Sequence, residues 1–271
     1  MDGDFFQDKV VLITGASSGI GRALVSEALE QGAFVVLAAR SQAEMQNAVK
    51  ETDPNRYMIM KTDVAKESDC ARLLEQTIER FGRLDLLINN AGVSMRALFA
   101  DAELGVLEHL MQVNFWGAVY CTKFALPHLL RSEGSVVGVS SIAGYKGLPA
   151  RSGYSASKFA LQGFLECLRI ENRKKGLHVL IACPGFTSSN IRKTALAKDG
   201  SMQGESPRDE AKMMQPETVA RQILKAVARR KRTLVLTRQG RLTVWLNKLF
   251  PALTDKLVYD HMAKEPDSPF A

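Results

Sequence analysis

The chain contains 271 residues, of which 46% are hydrophobic and 24% are charged, and its formal net charge is +7 at pH 7. These proportions are those of folded globular proteins, so they exclude global disorder, collagen and coiled coil. The uncharged runs are too short or too polar to span a membrane, and residues 1–8 are too short and too acidic for a secretory leader. We therefore expect a cytoplasmic protein.

Short β-branched apolar runs alternate with longer amphipathic stretches along most of the chain. In chain order, strands are predicted at residues 10–13, 34–39, 57–60, 86–88, 136–139, 178–182 and 233–237. Helices are predicted between them at residues 20–31, 42–52, 67–81, 102–130 (with Gly117 as a point where it can break), 154–174 and 217–230. This order predicts right-handed βαβ units, and hence the α/β class: a single Rossmann-type, doubly wound parallel sheet of about seven strands with helices on both faces.

Two segments depart from this alternation. Residues 187–215 are polar and weakly periodic, and a stretch of that length inside a compact domain predicts a substrate lid. After the last strand, leucines recur along one face of a proline-interrupted helical tail, at Leu242, Leu246, Leu249, Leu253 and Leu257. We therefore divide the chain into a domain at residues 1–237 and an amphipathic C-terminal extension at residues 238–271.

The sequence gives no indication of a metal site, a redox site or a nucleic-acid site. The four cysteines and four histidines are scattered without a Cys-x-x-Cys pair, so we predict no protein-bound metal and no redox motif. Basic residues are concentrated after Arg192, most densely at residues 229–232, but no aromatic residues interleave with them. We therefore predict no nucleic-acid binding.

A glycine-rich turn follows the first predicted strand and leads directly into a helix. Its sequence is Thr14-Gly15-Ala16-Ser17-Ser18-Gly19-Ile20-Gly21. Glycines permit a tight turn and close backbone approach, and the helix N-terminus presents free N–H groups to a pyrophosphate. Such turns also serve plain strand-to-helix connections, but the order of strand, turn and helix here is that of a dinucleotide site.

The residue that follows the second predicted strand indicates which dinucleotide is preferred. An NAD site has an acidic residue there for the ribose 2′-hydroxyl, whereas this chain has Arg40 and no carboxylate nearby. A guanidinium can pair with a 2′-phosphate, so the sequence favours NADP(H) over NAD(H). The alternative is an exposed, helix-capping arginine.

A series of motifs resembles that of the short-chain dehydrogenase/reductase family, in family order, from about residue 9 to residue 237. The motifs are the glycine-rich turn, Asp63-Val64, Asn89-Asn90-Ala91-Gly92, Ser140-Ser141, Tyr154-Ser155-Ala156-Ser157-Lys158 and Pro184-Gly185. The resemblance implies cofactor contacts at Gly15, Ser17, Ser18, Gly19, Ile20, Gly21, Arg40, Asp63, Val64, Asn90, Ala91, Gly92, Tyr154, Lys158, Pro184, Gly185 and Thr187. Ser18 stands where many NADP-preferring members have a second basic residue, which leaves Arg40 as the main phosphate partner.

The spacing Tyr-x-x-x-Lys occurs twice, and only one copy can act as a pair. Tyr57 and Lys61 lie in a predicted strand, where four residues span about 13 Å. Tyr154 and Lys158 lie on one face of a predicted helix. There a lysine ammonium stabilises the phenolate and lowers the tyrosine pKa, which makes an acid/base catalyst. Ser141 is placed to hydrogen-bond the substrate oxygen as charge develops on it.

The resemblance extends this pair to a reaction. It implies that Lys158 also holds the nicotinamide ribose and that Asn114 supports a water that relays protons. Together these residues predict reversible hydride transfer between a nicotinamide and a ketone or secondary alcohol. The alternative is a non-catalytic NADP-binding sensor or scaffold, which would need none of Asn114, Ser141, Tyr154 and Lys158. In the family, the helices at 102–130 and 154–174 commonly pack between subunits, which implies a homodimer or tetramer.

Apolar residues on segments expected to border the pocket favour an apolar small-molecule substrate. They are Ile142, Leu148, Phe186, Met202, Met213 and Met214. The leucine face of the tail has two interpretations. It packs on the body or on a partner subunit, or it caps the pocket mouth and docks on membranes, with residues 229–232 facing anionic headgroups. Membrane-associated family members resemble this chain in having an apolar C-terminal extension.

Overall fold

The part of the chain that the computed structural model describes, residues 5–206, 209–210 and 213–270, is built around one parallel β-sheet. Its seven strands have the order β3-β2-β1-β4-β5-β6-β7. They are β1 (Val10–Thr14), β2 (Phe34–Ala39), β3 (Tyr57–Lys61), β4 (Leu86–Asn89), β5 (Ser135–Val139), β6 (His178–Cys183) and β7 (Thr233–Val235). The order reverses beside β1, and in open α/β sheets ligands bind in the crevice at such a point.

Helices cover both faces of the sheet. They are α1 (Gly19–Glu30), α2 (Gln42–Ala48), α3 (Glu67–Phe81), α4 (Leu104–Met111), α5 (Gly117–Arg131), α6 (Ser152–Glu171), α7 (Pro216–Ala228), α8 (Arg238–Leu249) and α9 (Pro251–Met262). Apolar residues of α1, α2 and α7 form the core on one face, and those of α3, α5 and α6 form it on the other. Every residue of β1, β4, β5 and β6 is buried, as expected for a parallel sheet covered on both sides.

The predicted long helix at 102–130 is interrupted, as Gly117 suggested. A π-helical turn, Gln112–Trp116, separates α4 from α5, and the Gly117 N–H bonds the carbonyl of Gln112, five residues back. A Cβ on Gly117 would lie only 2.8 Å from Cγ2 of Val64, so glycine is what allows α5 to pack on the turn after β3. Interruptions of this kind occur frequently at functional sites.

The tail consists of two helices, α8 and α9, laid over the loop between β5 and α6. Pro251 occupies the first turn of α9, where its missing N–H costs no hydrogen bond. Asn247 Nδ2 donates to the carbonyl of Tyr145 at 3.0 Å, and Lys146 forms an ion pair with Asp255. Among the residues described, no helix is long and apolar enough to cross a membrane.

Some predicted segments fall partly outside the described residues. Residues 207–208 and 211–212 of the predicted lid, 187–215, lie outside the described residues. Residues 1–4 and residue 271, at the two ends of the chain, also lie outside them. The rest of the lid contacts the loop after β4, where Met95 pairs with Leu196.

Candidate active site

The predicted site residues meet at the carboxyl ends of the strands, around a cavity of about 1100 Å³. Those that line it are Ile20, Asn90, Gly92, Ser141, Tyr154, Lys158, Pro184, Gly185 and Thr187. The remaining ones lie behind this wall or beside it, on the ends of β1, β2 and β3 and in the π-helical turn. The parallel sheet explains the convergence, because all its strands end at the same edge.

The glycine-rich turn is packed so closely that side chains would not fit. Gly15 has φ +66°, and a Cβ on it would lie 2.8 Å from Cα of Ala91. A Cβ on Gly21 would lie 2.1 Å from the carbonyl oxygen of Gly15. Asn90 Nδ2 donates to the carbonyl of Thr14 at 2.9 Å and so fastens the turn to the loop after β4. Glycines at these positions are therefore what allows the turn to pack against the loop after β4.

The start of α1 has the character of an anion site. Ser18, the residue before α1, makes no side-chain cap, and the first turn contains no acidic residue. Its N–H groups and dipole are thus not neutralised by a local carboxylate, which favours a negative ligand. Together with the close-packed glycines, this arrangement fits the pyrophosphate of a nicotinamide dinucleotide. Ser17 and Gly19 lie on the same turn, and Gly19 has φ +52°.

Arg40 and Asp63 lie at the ends of neighbouring strands. Arg40 directly follows β2, is exposed, and forms no hydrogen bond or ion pair with any residue that the structure describes. Asp63 lies just after β3, where its Oδ1 accepts from the N–H of Ala65 at 3.1 Å, and Val64 is buried against α5. The guanidinium of Arg40 is therefore available at the side of the turn where the sequence places a 2′-phosphate.

Ser141, Tyr154 and Lys158 converge on the cavity wall. Lys158 Nζ lies 5.7 Å from the ring centroid of Tyr154, one turn away on α6, and donates to the carbonyl of Val139 at 3.0 Å. Ser141 lies close enough to Tyr154 to lower the pKa of its hydroxyl, and Ser141 Oγ accepts from the N–H of Ala143 at 3.2 Å. Tyr57 and Lys61 lie on β3 and do not line the cavity.

The pKa of Tyr154 is shifted in the direction opposite to the one that the sequence predicts. Burial raises it, and this outweighs the hydrogen bond from Ser141 and the nearby charges of Arg151 and Arg192, which lower it. Burial also lowers the pKa of Lys158 to about 8. Desolvation disfavours the charged forms of both partners here, and the ammonium is directed to the Val139 carbonyl. The lowering of the Tyr154 pKa by Lys158 therefore stays a prediction.

Asn114 lies one layer behind the cavity, in the π-helical turn, and is buried. Its Nδ2 donates to the carbonyl of Val93 and to Ser157 Oγ, both at 2.9 Å, and its Oδ1 accepts from the Val93 N–H at 2.8 Å. The side chain therefore joins the loop after β4 to α6. A Cβ on Gly92 would lie 3.2 Å from Asn114 Oδ1 and 3.5 Å from Lys158 Nζ, so this glycine separates the two groups.

An ion pair that the sequence does not reveal joins two parts of the lid beside the cavity. Arg192 bonds Glu210 through two contacts, Nε–Oε1 at 2.8 Å and Nη2–Oε2 at 2.6 Å. Burial favours the neutral acid, but the hydrogen bonds from Arg192 and Ser206 outweigh it and lower the pKa of Glu210 to about 2. Arg192 Nη2 also donates to the carbonyl of Thr187 at 2.6 Å. The partners lie eighteen positions apart in an aperiodic segment, which is why no sequence pattern shows the pair.

The cavity wall is largely apolar, and the tail forms part of it. Ile142, Leu148, Phe186, Met213 and Met214 line the cavity as expected. The tail adds Leu242, Leu246 and Leu257, for which capping the pocket mouth was one of the two interpretations, together with Val258 and Met262, which the sequence did not assign to the site. Met202 was expected there and is instead 67% exposed, because the chain turns back at Gly200 and pairs residue 202 with Leu196.

Residues 229–232 do not lie beside the tail. They precede β7, whereas α8 begins after β7 at the opposite edge of the sheet. The expectation that they face headgroups under a membrane-docked tail is therefore wrong. The reason is that the chain runs along β7 between the two segments, so that they lie at opposite edges of the sheet.

Comparison with known proteins identifies the family. A model of the family described as short chain dehydrogenase matches residues 9–200. The chain is 36% identical over 269 residues to "Dehydrogenase/reductase SDR family member 7B" of Danio rerio, which covers 96% of this chain and 87% of the relative. It is 38% identical over 267 residues to "11-beta-hydroxysteroid dehydrogenase A" of Arachis hypogaea, which covers 93% of this chain and 75% of the relative. The chain belongs to the short-chain dehydrogenase family.

Solved structures agree on the fold. A short-chain dehydrogenase/reductase from Burkholderia phymatum in complex with NAD superposes with a TM-score of 0.82 at 23% identity, over 92% of this chain and 95% of that one. An alcohol dehydrogenase from Thermococcus sibiricus complexed with 5-hydroxy-NADP gives 0.75 at 22% identity, over 85% and 96%. The predicted Rossmann-type fold is confirmed, and this short-chain dehydrogenase is an oxidoreductase for which a nicotinamide cofactor is supported.

Proposed function

We propose that this short-chain dehydrogenase is an NADP(H)-preferring enzyme that interconverts a bulky, apolar ketone and its secondary alcohol. The observation that supports this best is the meeting of Ser141, Tyr154 and Lys158 on one wall of a cavity whose other walls are mostly apolar. A cavity of about 1100 Å³ is large enough for a nicotinamide together with a multi-ring or long-chain substrate. When bound, the nicotinamide would supply or accept the hydride.

Each end of the cofactor has residues suited to it. The glycine-rich turn and the start of α1 would hold the pyrophosphate, and Arg40 would pair with the 2′-phosphate. Asp63, Val64 and the Asn90–Gly92 stretch border the region between them, and Lys158 would hold the nicotinamide ribose. Pro184, Gly185 and Thr187 close the cavity on the nicotinamide side, with Thr187 Oγ1 bonded to the carbonyl of Gly185 at 3.2 Å.

The protein groups handle the proton. In carbonyl reduction, Tyr154 donates its hydroxyl proton to the substrate oxygen, and its raised pKa keeps that proton in place at neutral pH. Ser141 holds the same oxygen while negative charge develops on it. The Lys158 ammonium stabilises the phenolate left behind, and Asn114 fixes the backbone on which these groups depend. In alcohol oxidation the same steps run backwards.

Tyr154→Phe tests the assignment. We expect turnover of a panel of bulky ketones, followed by NADPH absorbance, to fall by about a hundredfold or more, with NADPH affinity nearly unchanged. The matched control is Tyr57→Phe, which alters the other Tyr-x-x-x-Lys copy and should leave turnover at the wild-type level. Absence of turnover in the wild type across the panel, with NADPH bound, would support the sensor or scaffold alternative instead.

We also propose that the tail docks reversibly on anionic membranes, while the enzyme is otherwise cytoplasmic. Its outer surface has large exposed side chains, including Trp245 (55%) and Phe250 (53%). Exposed cations accompany them on the same helices, at Arg238, Arg241, Lys248 and Lys256. Apolar side chains accompanied by cations suit an anionic lipid surface.

Co-sedimentation with vesicles of phosphatidylcholine and phosphatidylserine tests the tail. We expect the wild type to pellet at low salt and to be released at high salt, and Trp245→Ser/Phe250→Ser to stay in the supernatant. The control, Phe99→Ser/Leu104→Ser, removes side chains that are 65% and 68% exposed elsewhere on the surface and should pellet like the wild type. Equal behaviour of the two variants would contradict membrane docking by the tail.

We propose, finally, that the protein is a homodimer or tetramer joined through α5 and α6. Phe159 and Ile170 project from α6 at 46% and 71% exposure, and Trp116 lies nearby at 43%. The two helices are adjacent, since the rings of Phe115 and Phe164 approach to 6.3 Å. A second copy of the chain would cover this surface.

A further inference from the structure

A second cavity lies at the amino edge of the sheet, among arginine side chains. Its volume is about 450 Å³, and it is lined by Arg169, Arg173, Arg230, Arg232 and His178 over an apolar floor. No aspartate or glutamate among the described residues lines it. We call this cavity the basic groove.

The basic groove is separate from the active site. Arg169 follows Tyr154 by fifteen residues on α6, so the two lie about 22 Å apart along the helix. His178 begins β6, whose other end leads into the active-site cavity. What binds in the groove is therefore independent of the function proposed above.

Backbone carbonyls, rather than carboxylates, hold two of the arginines in place. Arg169 donates from Nε to the Val179 carbonyl and from Nη2 to the Arg232 carbonyl, both at 3.3 Å. Arg230 donates to the carbonyls of Glu133 and Gly176. None of the four arginines forms an ion pair with any residue in the described part of the chain. Their positive charges thus remain largely uncompensated.

Mutual repulsion among these positive groups contributes to a lowered pKa in two of them. Burial lowers the pKa of Arg169, and the charge of Arg232 lowers it further, while Glu166 and Tyr145 act in the opposite direction. Burial likewise lowers the pKa of His178, with further lowering by Arg230 and Arg169 against the hydrogen bond to the Lys231 carbonyl. A bound anion would relieve this repulsion.

The end of α7 positions one of these guanidinium groups. Arg230 has φ +47°, just beyond the end of α7, at a position where glycine is the usual residue. The Arg230 N–H donates to the carbonyl of Val227 at 2.8 Å, and the Lys231 N–H donates to that of Ala226 at 2.9 Å, so the helix ends in a left-handed turn. This turn brings the side chain of Arg230 to the groove.

We propose that the basic groove binds a phosphate-bearing ligand. Guanidinium groups bind phosphate oxygens in pairs, and several of them converge here without a competing carboxylate on the wall. Arg173 and Arg232 have exposed side chains that form no hydrogen bond within the described chain, so they are free to contact the phosphate. The phosphate can belong to a soluble molecule or to a phospholipid headgroup.

Histidine NMR tests the proposal with a built-in reference. The chain has four histidines; His178 lies in the basic groove, and His261 lines the active-site cavity. With NADPH bound, addition of inorganic pyrophosphate should shift the His178 signals saturably and raise the His178 pKa, and leave His261 unmoved. A shift of His261 alone would place the anion in the active site and overturn the proposal.

Matched variants identify the groups involved. Arg173→Gln/Arg232→Gln removes two charges without removing a hydrogen bond of the fold, and pyrophosphate affinity at His178 should fall about tenfold or more. Lys50→Gln/Arg80→Gln removes the same charge from exposed positions elsewhere and should bind as the wild type does. Equal affinity in the two double variants would show non-specific charge attraction and overturn the proposal.

Vesicles distinguish the two sources of phosphate. If phosphatidylcholine vesicles with a phosphoinositide pellet the control variant but markedly less of Arg173→Gln/Arg232→Gln, the ligand is a lipid headgroup. If the two pellet equally while the His178 shift still depends on these arginines, the ligand is a soluble phosphate. If His178 responds neither to pyrophosphate nor to these vesicles, the groove is not a phosphate site.

Discussion

Lys158 is a buried cation whose charge state lies close to physiological pH. Burial lowers its pKa to about 8, so the ammonium is present below that value and is lost as the pH rises through it. If the ammonium stabilises the Tyr154 phenolate in carbonyl reduction, we expect kcat for reduction to fall as the pH rises through about 8. A pH profile with one bulky ketone and saturating NADPH measures this.

Lys158→Arg is the informative variant for that profile. Arginine stays charged at every accessible pH, so this variant should lose activity overall but no longer decline through about pH 8. A decline that persists unchanged in the arginine variant would assign the titration to another group.

We propose that Arg40, at the end of β2, decides the preferred cofactor. Losing a charge-assisted pair costs about 1.5–3 kcal/mol, which is about tenfold to a hundredfold in kcat/KM. We expect Arg40→Asp to lower the ratio of kcat/KM for NADPH to that for NADH by at least this factor, because the new carboxylate also repels the phosphate. The control, Arg80→Asp, makes the same charge change on α3 and should leave this ratio unaltered. The same ratio in the wild type, Arg40→Asp and Arg80→Asp would refute the proposed role of Arg40.

At the level of elements, a buried carboxylate joins the tail to the residue that precedes α6. Glu265 Oε2 accepts from Arg151 Nη2 at 3.0 Å and lies 3.9 Å from Arg96 Nε. The three side chains are 5%, 11% and 11% exposed. Arg151 directly precedes α6 and lines the cavity, so the contact links the tail wall to the segment that positions Tyr154.

Glu265→Gln should therefore loosen the tail as well as destabilise the fold. Breaking a buried ion pair costs about 3 kcal/mol, which lowers Tm by several degrees in a chain of this size. We expect KM for bulky ketones to rise more than kcat falls, because the tail forms the apolar wall. Asp260→Asn removes an exposed charge from the same tail and should alter neither Tm nor KM; identical Tm values for both variants would contradict the contact.

The whole molecule leaves an apolar patch on α5 and α6 that a second copy would cover. We expect light scattering to give the mass of a dimer or tetramer for the wild type. Phe159→Glu, which places a charge in the patch, should shift the mass toward that of a monomer. Phe99→Glu, at an exposed phenylalanine elsewhere on the surface, serves as the control. A monomeric wild type would end the proposal.

Several candidate site residues could be predicted from the sequence because the patterns that mark them are local. The glycine-rich turn, the Tyr154–Lys158 pair and the strand ends are defined by spacings of a few residues, and a parallel sheet brings every strand end to one edge. The pKa direction of Tyr154 was not accessible, because desolvation depends on how much of the fold covers the ring.

Periodicity by itself determined the strands, most helices and the sheet class, and short motifs carried the family resemblance, since each depends on residues close together along the chain. Only the tertiary structure decided which residues Glu265 contacts, since it bonds Arg151 across 114 positions. Only the tertiary structure, likewise, brought α6, β6 and the α7–β7 turn together around the basic groove. It also decided that the tail walls the cavity while residues 229–232 lie at the far edge. Such pairings depend on how distant segments pack, and an ion pair between distant residues leaves no periodic trace in the sequence.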